Sequence, residues 1–139
     1  MSHPRTLTRA LPLAATALAA TLALTACSGN RAEIDEACAD IQSTISGVNS
    51  AAESIRQDIL VDDIPFQEQH ADELYEHMLD VEYLEEVARG SLREDAAERA
   101  DAVNAVLEEL EFDQNYAALE EALDWTADTH DMILDACGY

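Results

Sequence analysis

Between residues 31 and 61 the apolar positions Ile34, Cys38, Ile41, Ile45, Val48, Ala52, Ile55 and Ile59 recur in alternating steps of four and three. That is the stripe of an amphipathic helix packed against neighbours. Asn30 and Glu33 read as its N-cap and capping-box partner. Ser43, Thr44, Ser46, Gly47, Asn49 and Ser50 are poor helix formers. Gly47 alone costs about 1 kcal/mol relative to Ala, so the pattern predicts a kink there.

Asp62-Asp63-Ile64-Pro65 marks the first break, with Pro65 suited to a first helical turn. A second helix is expected from about residue 65 to Ala88, with Ala71, Leu74, Met78, Val81 and Ala88 inward and Leu84 on the flank. Glu85 projects onto that inward stripe, which a register shift toward Leu84 would explain. Gly90 reads as a C-terminal cap, and Ser91 with Glu94 as the capping box of a third helix. That helix carries Leu92, Ala96, Ala100, Val103, Leu107 and Leu110 on one face. Asp113 and Asn115 offer caps for a fourth, striped by Tyr116, Leu119, Leu123, Thr126, His130, Ile133 and Cys137 and ended by Gly138.

Four such segments with short connections predict an all-α fold, an antiparallel up-down-up-down four-helix bundle over residues 32–139. A three-helix bundle with its first helix broken near Gly47 is the alternative. No strand-like alternation and no internal repeat occurs.

The first 26 residues follow a different pattern. Arg5 and Arg9 precede an Ala- and Leu-rich run from Ala10 to Leu24, and no acid occurs before Glu33. The run is shorter than the roughly 20 residues a membrane-spanning helix needs. Together with the small residues Thr25 and Ala26 it has the three parts of a secretory signal. Leu24-Thr25-Ala26-Cys27 resembles the lipobox of bacterial lipoproteins. The resemblance implies cleavage before Cys27, a diacylglyceryl thioether on Cys27, and attachment to the outer face of the cell membrane. An ordinary secretory signal is the rival reading, and its Ala-x-Ala site at Ala17 to Ala19 lies inside the apolar run. Residues 27–31 would then be the lipidated cysteine and linker. Ser28 to Arg31 reach about 14 Å at most, which holds the folded body near the membrane. All seven basic residues are Arg and Ala is abundant, a composition typical of GC-rich genomes such as those of actinobacteria.

Lipidation of Cys27 also accounts for the odd cysteine count. Of three cysteines, Cys38 and Cys137 would remain, both outside the cytoplasm where disulfides persist. Both lie on inward stripes, and in the predicted topology the start of the first helix meets the end of the last, so a structural Cys38–Cys137 disulfide is expected, with two independent buried thiols or a redox pair as the rival reading. No Cys-x-x-Cys spacing supports redox work.

Charge restricts the partners. The chain carries 30 acids against seven arginines, a net of −23. Loss of Arg5 and Arg9 would leave five arginines and a net of −25 in a mature chain of 113 residues. A nucleic-acid partner is disfavoured, because phosphate binding requires a basic patch. Basic proteins or cations fit electrostatically, and contact with an anionic leaflet is left to the acyl anchor.

Within the second helix Tyr75, Leu79, Tyr83 and Val87 form a second ridge off the inward stripe. Aromatics are favoured at the centre of interfaces, so Tyr75, Leu79 and Tyr83 are candidate partner-binding residues. The competing reading is that this helix buries both faces; Trp125, off its own stripe, has the same two readings. His70, Glu73, Glu76 and His77 form the best cation-binding cluster, but the Glu-x-x-His pairs of di-iron bundles and the His-Glu-x-x-His of zinc proteases are absent. A solvated face is the simpler account, and no metal or cofactor is assigned. His130 reads as a satisfied core histidine. Asp124, Asp128, Asp131 and Asp135 form an acidic line with no calcium-loop spacing. No phosphate loop or Gly-x-Ser-x-Gly elbow occurs, so the chain reads as non-catalytic. The expected role is that of an interaction or accessory protein of the cell envelope, with cation or small-ligand binding as the alternative.

Overall fold

The computed structural model describes Ile34 and residues 36–139, all of whose regular elements are helical. The predicted signal segment, Cys27, the predicted linker and the predicted Asn30–Glu33 cap lie outside the described residues. After helical residues 36–38 and a turn at Ala39–Asp40, α1 spans Ile41–Ile55. It continues into a π-helical stretch, Arg56–Val61. Helices α2 (Glu68–Tyr75) and α3 (Met78–Val87) follow, then α4 (Ser91–Glu108), a second π-helical stretch (Glu109–Asp113) and α5 (Tyr116–Cys137). Helix α1 packs on α2, α3 and α5, while α4 packs on α3 and α5.

The inward stripe of the first helix holds: Cys38, Ile41, Ile45, Val48, Ala52, Ile55 and Ile59 are all buried. The α1 helix is continuous through Gly47, and the His77 ring packs into the space that a Cβ at position 47 would occupy. The break falls instead in the predicted second helix, which divides into α2 and α3 at Glu76 and His77. The division rotates the following turns, so Leu84 is buried and Glu85 exposed, as a register shift requires.

Three further expectations about helix ends are corrected. Pro65 lies in the connection before α2 rather than in its first turn, and Gln67 is the N-cap; its backbone N–H donates to His70 Nδ1 at 3.3 Å. Gly90 does not cap α3, which ends at Val87. It is instead the N-cap of α4 at φ +61°, a conformation open to glycine, and Ser91 is already helical. The last helix matches its predicted ends. Asn115 Oδ1 accepts from the N–H groups of Ala117 and Ala118 at 3.0 and 3.2 Å, and Gly138 closes it in the left-handed conformation.

Cys38 and Cys137 form a disulfide with Cα atoms 5.4 Å apart, closing a separation of 99 residues. It borders one apolar cluster, built from Cys38, Ile41, Ile45, Leu84, Ala88, Leu92, Ala96 and Ile133. A second, larger cluster runs from Val48 and Ala100 to Ile59, Leu110 and Leu119. Buried Arg99, Thr126 and Thr129 belong to neither cluster and form a polar layer between them.

Candidate functional site

The predicted ridge is on the surface. Leu79 is 76% exposed, Tyr83 55% and Tyr75 47%. Core contacts on these two short helices are made instead by Ala71, Leu74, Val81 and Leu84. Tyr75 is held in place by its hydroxyl, which donates to Glu111 Oε2 at 3.0 Å. That bond to a carboxylate, with the charge of Glu111, raises the phenol pKa and keeps it a donor.

A groove of about 340 Å³ opens beside Tyr83 and Val87, bounded by Glu36, Ala37, Glu86 and Arg89. A second, of about 380 Å³, lies toward the α2 end, where Phe66 and Ala71 face Leu110 and Phe112. The Phe66 ring meets Tyr116 edge-on at 4.9 Å, so the predicted stripe residue Tyr116 packs over the end of the molecule and stays exposed. Exposed Asp72, Glu76, Glu82 and Glu86 rim the ridge. The arrangement is an apolar centre within an acidic border.

The histidine cluster of the second helix is dispersed. His70 is buried, with Nε2 3.4 Å from Asp58 Oδ2 and Nδ1 engaged by Gln67. His77 packs on Gly47, and its Nδ1 is 3.9 Å from Asp80, beyond hydrogen-bonding reach. Glu73 is half-buried and Glu76 exposed. Among the described residues no three metal-ligating side chains converge. Asp124, Asp128, Asp131 and Asp135 are all exposed, and Asp124 pairs with Arg56 at 2.6 Å. Trp125 is half-buried and donates to Glu98 Oε1 at 3.1 Å.

Arg99 is the residue that sequence reasoning passed over. It is 1% exposed, and its Nη2 donates to the Ile45 carbonyl at 3.0 Å. Its Nη1 is buried without a partner, and no carboxylate among the described residues pairs with it. Desolvation pushes its pKa down to about 10, so it remains charged at neutral pH. His130 is half-buried rather than a satisfied core histidine, and its Nδ1 also lacks a partner. Burial and the nearby Arg99 charge lower its pKa, opposed by Asp131. The signal for Arg99 lay in the spacing. It stands three residues after Ala96 and four before Val103, on the inward face.

No described helix is long and apolar enough to cross a membrane. No family model, curated protein or solved structure matches the chain.

Proposed function

We propose that this is a lipid-anchored, non-catalytic interaction protein of the bacterial cell envelope, which docks a protein partner on the Tyr75–Leu79–Tyr83 ridge. The observation that carries the reading is the exposure of Leu79 between two exposed tyrosines, on helices whose core contacts come from other residues. Such a cluster, apolar at its centre and polar at its rim, has the anatomy of an interface hot spot. The acidic rim selects a partner whose own docking surface is apolar at the centre and basic at the edge.

The lipobox Leu24-Thr25-Ala26-Cys27 supports attachment through Cys27 at the extracytoplasmic face. The Cys38–Cys137 disulfide accords with that compartment. The pairwise packing of α1 with α3 and α5, and of α4 with α3 and α5, supports an up-down-up-down bundle in which α2 and α3 together form the second strut. In that arrangement the disulfide end is nearest the lipid, and the ridge runs along the side of the body.

The test is recovery of the tagged lipoprotein from its own membranes in mild detergent, with quantitative mass spectrometry. A stoichiometric partner lost in the Tyr75→Ala/Tyr83→Ala variant, at unchanged melting temperature, supports docking. Retention of every co-purifying protein by that variant removes the ridge from the account.

A further inference from the structure

The chain has 30 acidic residues, yet none of the described residues that line one cleft is acidic. An open cleft of about 280 Å³ between α1 and α5 is lined by Gln42, Ser46, Asn49, Ser50, His130 and Leu134. The grooves at the two ends of the ridge contain Glu36 and Glu86, or Glu68, Asp72 and Glu111. Among the described residues that line the cleft, the only titratable one is His130. The weak helix formers of α1 are thus the residues that supply its hydroxyl and amide groups.

A buried positive charge, that of Arg99, acts on both elements of the cleft, through its bond to α1 and its charge on His130 of α5. The guanidinium of Arg99 donates to the carbonyl of Ile45, which is next in sequence to Ser46 and one turn from both Gln42 and Asn49. Its Nη1 and the Nδ1 of His130 are both buried and unpartnered. His130 is half-buried: its Nδ1 is enclosed, while the residue lines the opening. A buried cation without a counter-charge is costly in a medium of low dielectric. An anion in the adjoining cleft would relieve that cost, opposed only by Asp131 among the described carboxylates that act on His130.

We infer that the α1–α5 cleft binds a small hydroxy-carboxylate, with Arg99 as the buried counter-charge and Gln42, Ser46, Asn49, Ser50 and His130 as its polar contacts. The volume of about 280 Å³ falls just below the roughly 300–1,000 Å³ of typical ligand pockets, which restricts the occupant to a small metabolite. The amide and hydroxyl groups suit a ligand carrying several hydroxyls beside its carboxylate, such as a sugar acid. The cleft is distinct from the ridge, so its occupancy is independent of the docking proposed above.

The test uses the full lipidated chain in detergent, titrated with sodium gluconate and separately with sodium lactate at constant ionic strength, and followed by NMR. The His130 ring and the Gln42 and Asn49 side-chain amides should shift saturably. Arg99→Met should weaken gluconate binding at least tenfold. Ser46→Val, a change on the exposed wall that spares the polar layer, should also weaken it, while Tyr83→Ala should not. Absence of saturable shifts with both probes overturns the inference. So does undiminished binding in Arg99→Met, or equal binding of sodium sulfate, which would show response to anionic charge alone.

Discussion

Replacing Arg99 by Met should make the folded protein more stable. Burial lowers the guanidinium pKa from its ordinary value to about 10. At neutral pH that corresponds to about 3 kcal/mol of penalty on the charged form in the folded state. The sign follows from proton binding. The unfolded chain holds this proton more tightly, so the penalty is present at all pH values below about 10 and fades as pH rises through that range. Met fills similar volume without a charge, at the loss of one hydrogen bond to the Ile45 carbonyl. Exchange of buried ionic groups for well-packed apolar ones is often neutral or stabilising by about 1–4 kcal/mol. We expect a gain of about 1–3 kcal/mol, read as a rise of about 4–8 °C in melting temperature per kcal/mol for a domain near 100 residues. The His130 pKa, measured by NMR titration, should rise in the same variant because a neighbouring cation has been removed. A loss of more than about 1 kcal/mol in Arg99→Met, or an unmoved His130, would refute an uncompensated charge at this position.

Three further predictions concern the remaining structure. Cys38→Ala/Cys137→Ala opens a closure of 99 residues and should lose about 2–4 kcal/mol, within the chain-entropy limit of about 4.7; equal melting temperatures with and without the bridge would contradict this. Gly47→Ala places a methyl group against the His77 ring, and the overpacking cost of about 1–3 kcal/mol exceeds the roughly 1 kcal/mol gained in helix propensity. Denaturant titration should therefore show net destabilisation, and a stabilised variant would show that His77 is free to turn away. Because the His130 pKa is lowered on folding, the unfolded chain gains a proton first on acidification, and stability should fall as pH drops below about 6.5. The difference between wild type and His130→Asn over pH 7.5 to 5 isolates this contribution, and parallel curves would deny it.

The helices were legible where local chemistry decides them. The stripe from Ile34 to Ile59, the Asn115 cap and the Gly138 stop each depend on a few neighbouring residues, and each appears as expected. The pairing of Cys38 with Cys137 followed from their faces and from compartment. The split at Glu76 and His77 did not follow, because it accompanies packing of His77 onto a glycine 30 positions away. The helix α1 is continuous at that glycine. Both π-helical stretches sit where α1 and α4 run into connections, and local propensity does not distinguish them from α-helix. At the ridge, periodicity located Tyr75, Leu79 and Tyr83 off the core stripe, while their exposure depended on how closely the neighbouring helices approach. Arg99 lay on the inward stripe in plain view, but charged residues are seldom buried unpaired, and that expectation concealed it.

The central claim is that Leu79 faces a partner in the envelope. A photo-crosslinking residue at position 79, irradiated in native membranes, tests this directly against the same residue at exposed Asp128 on α5. The account predicts one discrete adduct from position 79 and none from position 128. No adduct at position 79, or the same set of adducts from both positions, would contradict it.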